Sequence, residues 1–391
     1  MKPCWQSISA FAQFDSLLIN TTIKKIRRIF SGGGAVIGAA FLMANSSIGP
    51  GFLTQTTVFT QQLLASMGFV ILLSVLLDIG AQLNTWRILT VSGLRAQDLA
   101  NQLLPGAGYF LTLLIVVGGF AFNIGNIAGC GLGLNVLTGV SFETGAIISG
   151  CIALLLFWYK EIGSMLDGFT RLLGIVKISL TLFIAFRAHP PLLEALHRTL
   201  IPEKISSVAI VTLVGGTVGG YITFSGAHRL LDAGIKGPES LKKINQSAVS
   251  GIIISTVMRY ILFLAALGVL LQGVVPDNAN PAASVFRHAA GEAGLRIFGV
   301  VLWSAAISSV LGAAYTSVSF LKTFHPLLAR YERWCITIFI IISTLVFVWI
   351  GKPRQLLIAA GGINGLILPF ALSIVLIAAT KKRLMNGYRH P

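Results

Sequence analysis

The residues of this sequence that could do chemistry are few, and most of them lie inside apolar stretches. Lys177 and Arg259 each interrupt one such stretch, and His228-Arg229 closes another. An ionisable group at membrane depth is costly and is a functional candidate by default. Lys177 is a candidate for proton exchange, the alternatives being a lysine that reaches for an interface or one paired with Asp78. Arg259 is a candidate counter-charge for a substrate, but it lies toward the cytoplasmic end of its stretch in this reading, where a structural pairing is the expectation. Two further stretches are broken by Gly49-Pro50-Gly51 and by Gly215-Gly216 with Gly219-Gly220. Proline removes a backbone donor and glycine accepts dihedrals that other residues resist, so both stretches are expected to unwind there. The competing readings are a simple proline kink and glycines that let helices pack closely. No H-E-x-x-H or G-x-S-x-G pattern occurs, and His189, His197, His288 and His325 fall in loops without metal-ligand spacing. No catalytic residue, resident metal or cofactor is expected, and the chain does not read as an enzyme.

The elements that must position these residues are membrane helices. Of 391 residues, 55% are apolar and 11% charged, with a mean hydropathy of +0.83, whereas soluble domains carry about a quarter charged residues. Ten stretches approach the ~20 apolar residues that cross a bilayer, at 34–58, 63–90, 107–134, 142–159, 164–186, 207–230, 246–272, 294–320, 333–350 and 355–380. The net charge of +16 comes from short loops between these spans rather than from one basic face, which argues against a nucleic-acid partner. Placing both termini in the cytoplasm puts 20 Lys and Arg on that side and 7 on the other, as the positive-inside rule requires. A cell (inner) membrane location follows as the expectation, with the lipid bilayer as the first partner. The residues before 34 are polar and basic, and no cleavable signal peptide is expected. Cys4, Cys130, Cys151 and Cys335 show no close pairing and read as free, buried thiols.

Ten spans divide into five and five about the polar connection 187–206. An odd number of spans per half makes the second half enter from the opposite side, which is the inverted repeat of many secondary transporters. The expected organisation is therefore a cytoplasmic tail (1–33), a first five-helix repeat (34–186), an extracytoplasmic connection (187–206), a second repeat (207–380) and a cytoplasmic tail (381–391). The two broken spans then fall at equivalent places, the first of each half.

These residues also resemble a known family. Phe41 through Phe52, ending Gly49-Pro50-Gly51-Phe52, lies without a gap on the first-span stretch of the NRAMP family that ends Asp-Pro-Gly-Asn. Gly215-Gly216-Thr217-Val218-Gly219-Gly220-Tyr221-Ile222 lies on that family's sixth-span stretch Gly-Ala-Thr-Val-Met-Pro-His-Asn. Leu134 to Gly139 is similar to the end of its third span, Ser308-Ser309 with Gly312 to its eighth, and Leu368-Pro369-Phe370-Ala371-Leu372 to its tenth. The resemblance implies an all-α polytopic membrane protein with a LeuT-like, five-plus-five inverted repeat, spans 1 and 6 unwound at the midplane, working by alternating access. It also implies a proton-coupled divalent-metal transporter, and here the sequence departs from it. The family's Asp, Asn and Met ligands are replaced by Gly49, Phe52 and Gly219, its first span-6 His by Tyr221, and two acidic residues of span 3 by Asn123 and Asn126.

Without those ligands the midplane suits a substrate larger than an ion. In the superfamily the half-helix N-termini at the breaks face a substrate carboxylate, and Gly49, Pro50, Gly51, Gly219 and Gly220 would let one approach. Asn45, Asn123, Asn126 and Tyr221 would add neutral hydrogen bonds and Phe52 an apolar wall. For the asparagines, hydrogen bonds between helices are the alternative. By analogy with proton-coupled relatives, Lys177 with Ser308 and Ser309 would form the coupling site, giving symport of protons with the solute. The expected substrate is a small carboxylate or amino-acid-like molecule. One NRAMP-like branch with this glycine-rich span 6 resembles proteins encoded near 5-oxoprolinase subunits, which makes 5-oxoproline a named candidate. The rival readings are a divalent cation such as manganese or hydrated magnesium held by backbone and water, and a sensor or accessory subunit that binds without transporting. Oligomeric state is not legible.

Overall fold

The computed structural model describes residues 47–159, 176–322 and 324–391, and every regular element among them is helical. Asn45, the tail 1–33 and the segment 160–175 lie outside the described residues. The helices are α1 (Pro50–Leu63), α2 (Met67–Ser92), α3 (Ala96–Leu103), α4 (Ala107–Thr138), α5 (Phe142–Trp158), α6 (176–187), α7 (Leu192–Leu200), α8 (Ser207–Thr217), α9 (Tyr221–Asp232), α10 (Leu241–Leu271), α11 (Pro281–Leu321), α12 (Pro326–Arg330), α13 (Glu332–Ile350) and α14 (Pro353–Ala379).

Local sequence explains the boundaries. Proline stands at the first turn of α1, α11 and α14, where its missing donor costs nothing. Ser141, Ser206 and Asn280 cap α5, α8 and α11 by accepting from the amides of Thr144, Ala209 and Ala283. Gly93, Gly139 and Gly351 end α2, α4 and α13 in the left-handed conformation.

Each expected span finds a helix or a pair of helices: α1 the described part of span 1, α2 span 2, α4 and α5 spans 3 and 4, and α6 the described part of span 5. Span 6 is α8 followed by α9, and α10, α11, α13 and α14 are spans 7 to 10. A boundary of each of spans 1, 2, 3, 7 and 8 differs from expectation by four residues or more. Span 1 runs on to Leu63, and α11 begins at Pro281 with a non-helical Gly291 (φ 64°) before the span proper. The connection 187–206 carries the short helix α7.

Helix α4 is the central strut. Its glycines at every fourth position each admit a different neighbour: Gly125 faces Leu357 and Ala360 of α14, Gly129 the ring of Pro50, and Gly133 the backbone of Trp303 in α11. The stripe is a packing device, as small residues are between membrane helices. Large apolar side chains such as Leu76, Phe186, Trp349 and Leu366 point outward instead, the arrangement of a bundle solvated by lipid. Cys130 is buried as expected, but Cys151 lies on this outer face and Cys335 is half-buried, because α5 and α13 are peripheral; all three are free.

Candidate functional site at the two helix breaks

Both expected interruptions are present. In span 1, Ile48 and Gly49 are non-helical and α1 starts at Pro50, with Gly49 at its N-cap (φ −91°, ψ −168°) and no side chain capping the helix. In span 6, α8 ends at Thr217 and α9 begins at Tyr221, so Val218, Gly219 and Gly220 separate them. Gly220 has φ 52° and ψ −127°, a conformation that requires glycine, and α9 also lacks a side-chain cap. Two helix N-termini therefore present uncapped amides inside the bundle.

A buried cation reaches each break. Lys177, on α6, donates from Nζ to the carbonyl oxygen of Ile48 at 2.7 Å. Arg259, on α10, donates from Nη1 to the Thr217 hydroxyl at 2.8 Å, and its guanidinium lies 4.4 Å from the centre of the Phe52 ring. Arg259 is 3% exposed, and its Nε and Nη2 have no hydrogen-bond partner. The Thr217 hydroxyl gives its own proton to the Leu213 carbonyl at 2.8 Å, and Asp78 of α2, 1% exposed, lies within the field of Arg259 with its Oδ1 unpartnered. Phe52, Thr217, Asp78 and Arg259 thus converge from four helices.

Sequence reasoning placed Arg259 toward the end of its span. The structure puts it mid-helix, 18 residues from Leu241 and 12 from Leu271, beside the span-6 break. Counting from both ends of the apolar run was the signal that could have found it.

The neutral residues divide. Tyr221 is buried, with its hydroxyl toward Asn126, and packs edge-on to Phe122 at 5.6 Å. Asn126 Nδ2 is left unpartnered. Asn123 instead turns to α13, donating to the Ser343 hydroxyl at 3.0 Å, which is the interhelical alternative. Ser308 bonds its own helix at the Ala305 carbonyl, and Ser309 Oγ is buried without a partner.

Two amides escaped the sequence reading. Gln55, in α1, donates to the Leu357 carbonyl at 2.9 Å, and Asn364, in α14, donates to the carbonyls of Gly118 and Ala360 at 2.9 and 2.8 Å. The amide oxygen of each, Gln55 Oε1 and Asn364 Oδ1, is unpartnered and stands against Gly216 and Gly220 respectively. A buried amide in an otherwise apolar span was the available cue.

The span-6 glycines are packed rather than open. A side chain at Gly215 would meet the backbone of Gly361 and Gly365, and one at Gly219 would meet the backbone of Gly215 and the carbonyl of Asn364. Gly51 has ordinary space, its nearest neighbours being Gln55 and the Leu357 carbonyl. At the far end of span 6, His228 accepts from the Ala96 amide at 3.2 Å between Phe224 and Phe320, and Arg95 pairs with Asp232 at 2.6 Å. His228 therefore joins α9 to α3. Among the described residues, no three His, Cys, Asp or Glu side chains converge as a metal-ligand set.

Ten spans with broken first and sixth members, each break met by a buried polar group, define the inverted-repeat class of secondary transporters. The family model described as "Natural resistance-associated macrophage protein-like" matches residues 40–391, and the chain belongs to that Nramp family. It is 59% identical over 356 residues to the Bacillus subtilis (strain 168) membrane protein YcsG, covering 91% of this chain and 88% of that one. The fold superposes on the Eremococcus coleocola manganese transporter with a TM-score of 0.66 at 17% identity, covering 91% of this chain and 81% of that one. It also superposes on MhsT in complex with L-phenylalanine, with a TM-score of 0.59 at 16% identity, covering 89% and 90%.

Proposed function

We propose that this Nramp-family chain is a proton-coupled secondary transporter of a small organic anion, a carboxylate or amino-acid-like solute, with both termini in the cytoplasm of the cell that carries it. The observation that carries the reading is Arg259, buried beside the span-6 break with two unpaired guanidinium nitrogens and stacked on Phe52. Phe52 and Gly219 stand where the resembling family has metal ligands, and neither offers a donor. A fixed guanidinium ~5 Å from a dication would oppose it by roughly 6 kcal/mol at an effective dielectric near 20. The same group attracts a carboxylate, for which an arginine fork is the matching geometry. Uncapped amides at Gly51 and at the start of α9 would complete the anion's coordination, with Tyr221 and Asn126 as neutral contacts. That the fold accommodates an organic solute is supported by the likeness to MhsT, whose structure holds L-phenylalanine.

Lys177 is the proposed coupling group. Its ammonium sits on the Ile48 carbonyl, so loss of its proton changes the charge at the very break that must rearrange. Ser309, buried and unpartnered on the eighth span, is the hydroxyl proposed to assist it, with Ser308 beside it.

The test is uptake into proteoliposomes under an inward proton gradient, comparing manganese and magnesium with 5-oxoproline, other short carboxylates and amino acids. Accumulation of a carboxylate, lost in Arg259→Gln, is expected. Manganese flux, which the fold likeness to the Eremococcus transporter makes the natural rival, would overturn the reading. Binding of a carboxylate without accumulation would assign a sensor instead.

A further inference from the structure

The proposed carboxylate site contains a carboxylate of its own. We infer that Asp78 and the substrate anion compete for Arg259, and that Asp78 takes up a proton when the substrate displaces it. This rests on the anion reading above and adds to it a second protonation site, on α2.

Three observations meet here. Arg259 donates to the hydroxyl of Thr217, the last residue of α8 before the break, which gives its own proton to the Leu213 carbonyl, and Asp78 lies within the field of the same guanidinium. Neither ion is saturated: Asp78 Oδ1, Arg259 Nε and Arg259 Nη2 are all buried without partners. The two side chains also do not close into a direct ion pair; among the described residues the ion pairs are Arg95–Asp232, Arg198–Glu203, Arg287–Glu292 and Lys322–Glu332, and each includes at least one partner a quarter or more exposed. A buried pair that does not close into contact leaves room on the guanidinium for a second acceptor.

The groups around Asp78 limit what can answer its charge. Arg259 of α10 is the charged group that acts on it, and the Thr217 hydroxyl of α8 is spent on Arg259 and Leu213. His228 of α9 is engaged with the Ala96 amide, and the buried amides Gln55 of α1 and Asn364 of α14 are neutral. Lys177 is committed to Ile48. Once a substrate carboxylate takes the free edge of Arg259, two anions share one cation in a low-dielectric interior. Like charges so placed cannot both stay ionised, and the site reaches neutrality when one of them is protonated. One proton enters with each carboxylate, and its departure with the substrate restores Asp78 to Arg259. No bond other than O–H is made or broken.

The experiment measures binding of 5-oxoproline, lactate, pyruvate and acetate to the purified full chain in detergent across pH 5 to 9, in wild type and in Asp78→Asn. The variant carries a neutral side chain of nearly the same shape. Wild-type affinity is expected to fall about tenfold per pH unit over part of that range, and Asp78→Asn affinity to be flat and at least as tight as the best wild-type value. Asp78→Glu, which keeps the carboxyl, is expected to restore the pH dependence and covers the case in which Asp78→Asn does not fold. Binding to Asp78→Asn with the wild-type pH profile would overturn the role of Asp78 and leave the anion site standing. Failure of the wild type to bind any of the four would overturn the anion reading and this inference with it.

Discussion

The two helix breaks receive cations of different kinds, and the difference separates their tasks. At the span-1 break, Lys177 meets a backbone carbonyl. That is a cation on the negative side of a peptide dipole, an interaction complete in itself. At the span-6 break, Arg259 meets a side-chain hydroxyl and keeps two nitrogens free, with Asp78 close by. The lysine reads as a plug whose charge state sets the conformation of span 1. The arginine reads as an open socket. A transporter of a bare cation would need the opposite arrangement, oxygen or sulfur donors at the midplane and no fixed positive charge.

The largest expected effect tests the socket. Arg259→Gln should weaken carboxylate binding by ~30- to 5000-fold, since removing one partner of a buried charge pair costs about 2–5 kcal/mol; an isothermal titration that finds unchanged affinity would erase the contrast. Arg259→Lys should recover only part of the loss, because a point charge cannot replace a bidentate fork. The plug is tested next. Lys177→Ala should abolish pH-driven accumulation in proteoliposomes while leaving counterflow exchange intact; loss of both, or of neither, would give Lys177 a different role. A smaller effect is expected between the breaks. Gly219→Ala presses a methyl onto the backbone of Gly215 and Asn364 and should cost about 1–3 kcal/mol by overpacking, seen as a lower midpoint of thermal unfolding. A midpoint equal to wild type would mean that span 6 can move away from span 10. The smallest concerns Tyr221→Phe, which removes the hydroxyl facing Asn126. About 1 kcal/mol of stability, or up to tenfold in substrate affinity, is expected to follow, and whichever changes tells whether that hydroxyl faces the protein or the solute.

Much of this architecture was legible before any coordinates. Hydropathy located the spans, because backbone groups in lipid leave helices as almost the only choice. The glycine and proline clusters located both breaks, since few other reasons exist for such residues at membrane depth. Lys177 announced itself for the same reason. Partnership was harder to read. Nothing in the sequence says that Thr217, Asp78 and Arg259 come together, because the three lie on different helices and no spacing rule connects them. Asn123 and Asn126 are three residues apart on α4, yet one bonds Ser343 of α13 and the other faces Tyr221 of α9. Their directions depend on the rotation of α4 against its neighbours, which its glycine contacts set. Gln55 and Asn364 went unnoticed because a single amide in an apolar run resembles ordinary interhelical bonding until its oxygen is found without a partner.

The meeting of α8 and α14 bears on how such a machine can move. Gly215 on one helix lies against Gly361 and Gly365 on the other with no side chains between them, and Gly365 also fits against the Val211 carbonyl. Interdigitated side chains can slip past each other by changing rotamers, whereas two backbones in contact have no such freedom. The first half of span 6 and span 10 should therefore travel as one rigid lever. Its pivot would be the three residues Val218 to Gly220, and Asn364, carried on the lever, would swing directly over that hinge.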